Sequence, residues 1–236
     1  SGETLSGVGK FGMSREAIDF MINEILDAIS NDEIHLTLAI VIGGGNIFRG
    51  QDLKQNIFGK DTAVADYMGM LATLANCICF EEKLKQRGVE SRVMSAIECN
   101  DVSEKYRHKV ALSHLRKGYI VLLAAGTGLP FFSTDMTMIL RAKELGLTEI
   151  LKGTKVDGIF NDDPDINKDA KLVPRISHDD YLTPALSNKL KIVDFSAVAF
   201  ASQKHMPIRV FNIFKKGNLR RVIAGENIGS VIFTAA

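Results

Sequence analysis

Two glycine-rich stretches hold the residues best suited to chemistry: Ile42-Gly43-Gly44-Gly45-Asn46-Ile47-Phe48-Arg49-Gly50 and Gly126-Thr127-Gly128-Leu129-Pro130-Phe131-Phe132-Ser133-Thr134-Asp135. Three consecutive glycines let backbone N–H groups approach an anion without interference from Cβ atoms, and a helix N-terminus or a nest of N–H groups adds favourable partial charge. Arg49 follows with a planar, permanently charged fork suited to phosphoryl oxygens. In the second stretch Ser133 and Thr134 stand at a predicted helix start, where hydroxyls and free N–H groups can bind a second phosphate, and Asp135 can orient a cation by charge. A plainer reading assigns the glycines to chain reversal, Arg49 to the surface, and Ser133, Thr134 and Asp135 to ordinary helix capping. Two such loops in one sheet favour a two-anion site.

The elements that must position these loops follow from apolar periodicity, which alternates between short β-branched runs and longer helical stretches. Ser14 reads as the N-cap of a helix burying Ile18, Met21, Ile22, Ile25 and Leu26. A strand at Leu36–Ile42 runs into the first loop, a long helix spans Ala63–Gln86, and Gly88 stands where a helix stop is expected. Strand Arg92–Met94, helix Ser103–Arg116 and strand Tyr119–Ala124 lead to the second loop, and helix Ser133–Leu145 follows it. Farther on, strands at Ile150–Lys152, Val156–Phe160, Ile208–Phe211 and Ser230–Thr234 alternate with helices at Tyr181–Asn188 and Phe195–Lys204, and Asn161–Lys171 is a polar surface loop. Strands alternating with helices predict an α/β protein with a mainly parallel sheet covered on both faces.

Composition narrows the partners. The formal charge of +1 comes from 29 basic and 28 acidic residues spread along 236 positions, with no basic stripe for nucleic acid. Apolar runs such as Tyr119–Ala125 are far shorter than a membrane span, and no apolar signal region opens the chain, so a cytoplasmic protein without membrane association is expected. Cys77, Cys79 and Cys99 form no C-x-x-C and suit reduced thiols. A P-loop ending at Gly9-Lys10 would need glycine at Thr4 and a hydroxyl at Phe11. The dinucleotide fingerprint fails because Phe48 and Phe131 stand where its third glycine belongs. The five histidines lack metal-ligand spacing, and Asp157, Asp162, Asp163 and Asp165 lack the glycine and terminal glutamate of a calcium loop. No protein-built metal centre is expected; a cation would arrive with a nucleotide.

Four motifs in order carry a resemblance: the first glycine loop, Asp66-Tyr67-Met68-Gly69-Met70-Leu71-Ala72-Thr73, the second loop, and Thr154-Lys155-Val156-Asp157-Gly158-Ile159-Phe160, with Pro207-Ile208-Arg209-Val210-Phe211-Asn212 closing the set. Together they resemble the bacterial uridylate kinases of the amino-acid kinase superfamily, nearly end to end. The resemblance implies a three-layer α/β/α sandwich around a mainly parallel central sheet, one domain over residues 1–236 with a UMP-binding lobe at about 1–145 and an ATP-binding lobe at about 146–236. It implies transfer of the ATP γ-phosphate to UMP in pyrimidine nucleotide biosynthesis, Mg²⁺ carried with ATP, a homohexamer, and GTP activation with UTP inhibition. Carried over by position, Gly2, Gly45, Arg49, Thr154, Phe160 and Asp163 would contact ATP. Gly44, Asp66, Thr127, Gly128, Leu129, Pro130, Phe131, Phe132, Ser133 and Thr134 would contact UMP, with Asp66 on the ribose. Arg49 and Asp135 would be catalytic, and Gly7, Val8, Gly9, Lys10, Phe11 and Gly12 match the segment of the GTP effector site.

Departures from the family pattern are specific. Ser1-Gly2 match the end of a family strand reading Lys-Leu-Ser-Gly, so the phosphate-binding lysine of that strand belongs before Ser1. Leu129 stands where the family has asparagine, which removes a polar contact to the base, and Ser133 replaces threonine. Two other readings compete: a non-catalytic nucleotide-binding storage protein of the same fold, and a sister kinase acting on an amino acid or carbamate.

Overall fold

The computed structural model describes residues 2–6, 11–30, 36–48, 57, 63–162, 164, 166–183 and 192–235. The chain divides into two compact units, Ser1–Thr137 and Met138–Ala236.

The first unit opens on a 3₁₀ turn, Gly2–Leu5, followed by α1 (Arg15–Ile29). Ser14 caps α1 as its sequence predicts: its Oγ accepts the Ala17 N–H at 3.2 Å, satisfying one orphan donor. The buried face holds Ile18, Met21, Ile22 and Ile25; Leu26 is only half-buried, and Glu24 lies on the buried side. Strand β1 (Ala39–Val41), helix α2 (Ala63–Gln86), strand β2 (Ser91–Ser95), strand β3 (Glu104–Lys105), helix α3 (His108–Arg116) and strand β4 (Ile120–Ala124) complete the unit up to the start of α4 (Thr134–Glu144). The expected helix at Ser103–Arg116 begins later. Ser103 closes a turn on the Cys99 carbonyl, and Glu104–Lys105 pair in parallel with the end of β2 before the helix starts.

All pairings in this unit are parallel, in the order β1-β4-β2-β3. Every residue of β4 is buried, as expected of a strand with neighbours on both edges and packing on its faces. Helix α2 is long and apolar enough by itself to reach across a bilayer. It packs on α1, β2 and β4, burying Ala65, Met70, Leu74, Cys77, Phe80 and Leu84, which is how a domain's core helix uses such composition.

In the second unit, β5 (Ile150–Thr154), β6 (Arg175–Ser177), α5 (His178–Tyr181), α6 (Phe195–Lys204), β7 (Ile208–Asn212), α7 (Asn218–Ile223) and β8 (Ser230–Phe233) form a mixed sheet of order β5-β7-β8-β6. The β5–β7 and β6–β8 pairs are parallel and β7–β8 is antiparallel. Its core gathers Ile139, Ile159, Val198, Ile208, Val210 and Ile232. Val156–Phe160 bends instead of forming a strand, apart from an antiparallel bridge between Phe160 and Leu172. Of the helix expected at Tyr181–Asn188, only Tyr181 is helical among the described residues, and 184–191 lie outside them.

Candidate active site

Strands β1 and β4 lie side by side in register, Val41 opposite Leu123, so the two glycine loops leave the same edge of the sheet as neighbours. That carboxyl edge is where open parallel sheets bind ligands. Two glycines there are required by close approach. A Cβ on Gly44 would fall 2.5 Å from the Gly69 carbonyl oxygen and 2.9 Å from the Ala72 Cβ, so only glycine lets the first loop lie against α2. A Cβ on Gly43 would meet the Gly2 nitrogen at 2.7 Å and Thr134 Oγ1 at 3.5 Å, which brings Gly2, the first loop and the helix start after the second loop together. Gly45 is less confined, with Glu3 Cγ at 3.3 Å from its Cβ position.

A buried amide pair locks the first loop. Asn46 and Asn76 exchange side-chain hydrogen bonds at 2.8 and 3.0 Å, Asn76 Nδ2 donates to the Gly43 carbonyl at 2.8 Å, and Asn46 Nδ2 donates to the Gly12 carbonyl at 3.1 Å. The Gly12 N–H returns to the Asn46 carbonyl at 2.6 Å. Both side chains are buried, where an unmade hydrogen bond costs about 1–3 kcal/mol, so the arrangement holds the loop in one conformation. Asn46 and Asn76 were not singled out from sequence. Asn76 is a polar residue on the apolar face of a predicted helix, and that mismatch is the signal that could have marked it.

The second loop is held at both ends by α2. Thr73 Oγ1 accepts the Ala125 N–H at 2.7 Å while donating to the Met70 carbonyl at 2.7 Å. Asp66 Oδ2 accepts the Phe131 N–H at 3.0 Å. Ala125 and Phe131 both have positive φ, 58° and 71°, strain that non-glycine residues hold only where surrounding contacts enforce it. Gly126 and Gly128 take the other left-handed positions, Gly128 with its Cβ position 3.2 Å from Ala96. Thr127 Oγ1 accepts the Leu129 N–H at 3.2 Å, folding the tip, and Leu129, Phe131 and Phe132 point into solvent. Ser133 caps α4, accepting the Met136 N–H at 3.1 Å, with Thr134 and Asp135 in the first turn. The capping reading of Ser133 is what the structure shows.

Of the predicted site residues, the structure gathers Gly2, Gly44, Gly45, Asp66 and Thr127–Asp135 around the two loops of the first unit. Pro130 belongs to the same turn. Phe11 is exposed, and Gly12 carries the hydrogen bonds to Asn46. Arg49, Gly7, Val8, Gly9, Lys10 and Asp163 lie outside the described residues.

In the second unit, Thr154 ends β5, its hydroxyl donating to the Val156 carbonyl at 2.8 Å. Asn212, at the end of the neighbouring β7, donates to Asp157 at 3.1 Å, and Lys215 reaches the same carboxylate at 2.8 Å. These bonds from Lys215 and Asn212 hold the Asp157 carboxyl below its ordinary range. Asp157 thus has a structural partner set of its own. Among the described residues no group of three or more His, Cys, Asp or Glu side chains is placed to hold a metal.

The amino acid kinase family model matches residues 3–212. A uridylate kinase of Rubrobacter xylanophilus is 42% identical over 234 residues, 99% of this chain and 89% of that protein. A uridylate kinase of Wolinella succinogenes is also 42% identical, over 96% of this chain and 91% of its own length. Among solved structures, the UMP kinase of Bacillus anthracis superposes with a TM-score of 0.91 at 33% identity, covering 100% of this chain and 93% of that one. With the family model spanning most of the chain and relatives aligned almost end to end, this chain belongs to the amino acid kinase family, within its uridylate kinases.

Proposed function

We infer that this chain is a UMP kinase, moving the γ-phosphate of ATP onto UMP to give ADP and UDP. The observation that carries the reading is the convergence of two glycine loops and Asp66 at one sheet edge. The names of the aligned relatives support the same substrates. A storage role would not call for an aspartate fixed against the second loop, and neither it nor an amino-acid kinase is favoured.

In the proposed reaction a UMP phosphate oxygen attacks the ATP γ-phosphorus in line, and the bond from that phosphorus to the β,γ-bridging oxygen breaks as ADP leaves. Such transfer needs positioning and charge stabilisation more than covalent help from the protein. Gly44 and the Thr127–Thr134 segment take UMP, with Asp66 on the ribose. Gly2, Gly45 and Arg49 serve the ATP phosphates, Thr154, Phe160 and Asp163 serve its nucleoside part, and Asp135 orients a cation by its charge. Mg²⁺ would enter on ATP, with the Asp135 carboxylate as the nearby charge that could orient it, and would supply neutralisation of charge on the transferring phosphates.

A homohexamer is the proposed assembly; the exposed apolar residues Val64, Tyr67 and Leu71, one helical face of α2, are surface that association would cover. GTP activation and UTP inhibition are proposed through Gly7–Gly12, and the Gly12–Asn46 bonds give that segment a route to the first loop. Free thiols at Cys77, Cys79 and Cys99 suit a cytoplasmic setting. The test is an ADP-release assay with UMP, CMP and dUMP, with and without GTP, on this chain. UMP turnover, lost by at least tenfold in kcat on Arg49→Ala, is the expected result; bound UMP without turnover would reject it.

A further inference from the structure

Gly69 lies in the interior of α2, and neither reason that explains the other site glycines applies to it. Its φ is not positive, and among the described residues no atom outside the adjacent helix backbone lies within 4 Å of where its Cβ would stand. Gly44, by contrast, is glycine because a Cβ there would collide with α2, and the atom it would strike first is the Gly69 carbonyl oxygen at 2.5 Å. Glycine is among the poorest residues inside a helix, and packing among the described residues offers no compensation for it at this position.

Its place on the helix supplies a reason. At 3.6 residues per turn, Gly69 follows Asp66 by about one turn and precedes Thr73 by another, with Asn76 beyond on the same side. Asp66 holds Phe131 of the second loop, Thr73 holds Ala125 at that loop's origin, and Asn76 holds Gly43 of the first. The bare Cα of Gly69 is therefore the floor between two loops, one turn from the carboxylate proposed for a ribose.

We propose that Gly69 is a positioning residue for the acceptor nucleotide: the space left by its missing side chain admits the sugar of a nucleoside monophosphate against the backbone of α2. The inference rests on the UMP kinase reading. A methyl at this position would lift the sugar off the helix and away from Asp66, while ATP contacts elsewhere would be untouched. It would also stiffen the helix, because alanine is the better helix former where there is room for it.

The experiment compares the full chain with Gly69→Ala by UMP titration in the absence of ATP, by steady-state kinetics, and by thermal unfolding without ligand. Expected are UMP Kd and KM raised at least tenfold, an ATP KM within twofold of the parent, and a Tm raised by a few degrees. Unchanged UMP affinity would overturn the proposal, and so would a lowered Tm, which would mean that the glycine is there for packing. If the parent binds UMP without turning it over, the kinase reading fails and the Kd comparison still decides the role of Gly69. If the parent does not bind UMP at all, both ideas fall.

Discussion

Single residues in this chain do more than one job, and the double duty makes them testable. Asp66 is tied to the Phe131 N–H at 3.0 Å and is the residue proposed to hold the UMP ribose. Replacing it by Asn keeps an acceptor for the loop but removes the charge, so UMP KM should rise about tenfold by the loss of a charged hydrogen bond while kcat changes little; an unchanged KM would remove Asp66 from the site. His178 is a different case, remote from any proposed chemistry. It is fully buried, its Nε2 donates to the Met206 carbonyl at 3.1 Å, and its Nδ1 lies 3.2 Å from the Thr234 hydroxyl. Burial disfavours the imidazolium and holds its pKa below the ordinary 6.5, with His205 acting in the same direction and Asp179 in the opposite one. Between the lowered native pKa and about 6.5 the unfolded chain binds a proton that the folded chain does not, so stability is complete above that value and falls as pH drops below it. Urea midpoints measured from pH 7.5 to 5 should decline on the acid side, and His178→Gln should flatten that decline.

At the scale of elements, α2 is the organising part. From one face it holds the first loop through Asn76, the origin of the second through Thr73 and the far side of the second through Asp66. The packing that makes this work is the contact of Gly44 with the Gly69–Thr73 turn. Gly44→Ala would place a Cβ 2.5 Å from a backbone oxygen, which a loop bonded on both sides cannot easily relieve. The cost should be on the order of 1–3 kcal/mol of stability, as for other overpacked sites, with UMP phosphorylation reduced at least tenfold; denaturant unfolding and the ADP-release assay read the two effects separately.

At the scale of the whole molecule, the exposed apolar side chains of Val64, Tyr67 and Leu71 set an expectation about assembly. Light scattering after size-exclusion chromatography should give about six times the 25.9 kDa chain mass, and Tyr67→Glu or Leu71→Glu, placing charge on the face that the proposed hexamer would cover, should lower it. The sequence by itself determined the α/β class, the order of most elements and the strand–loop–helix placing of both glycine loops. Those features follow from side-chain period, capping and glycine's conformational freedom, which act over a few residues. It misplaced the start of α3, because the turn that closes on Cys99 carries no distinctive residue pattern. Only the tertiary structure decided that β4 inserts between β1 and β2, that Asn46 pairs with Asn76, and that Thr73 and Asp66 secure Ala125 and Phe131. Those partners are 30, 52 and 65 residues apart in the chain, and no local pattern reports which strand edge or helix face a polar group will meet once the core has closed.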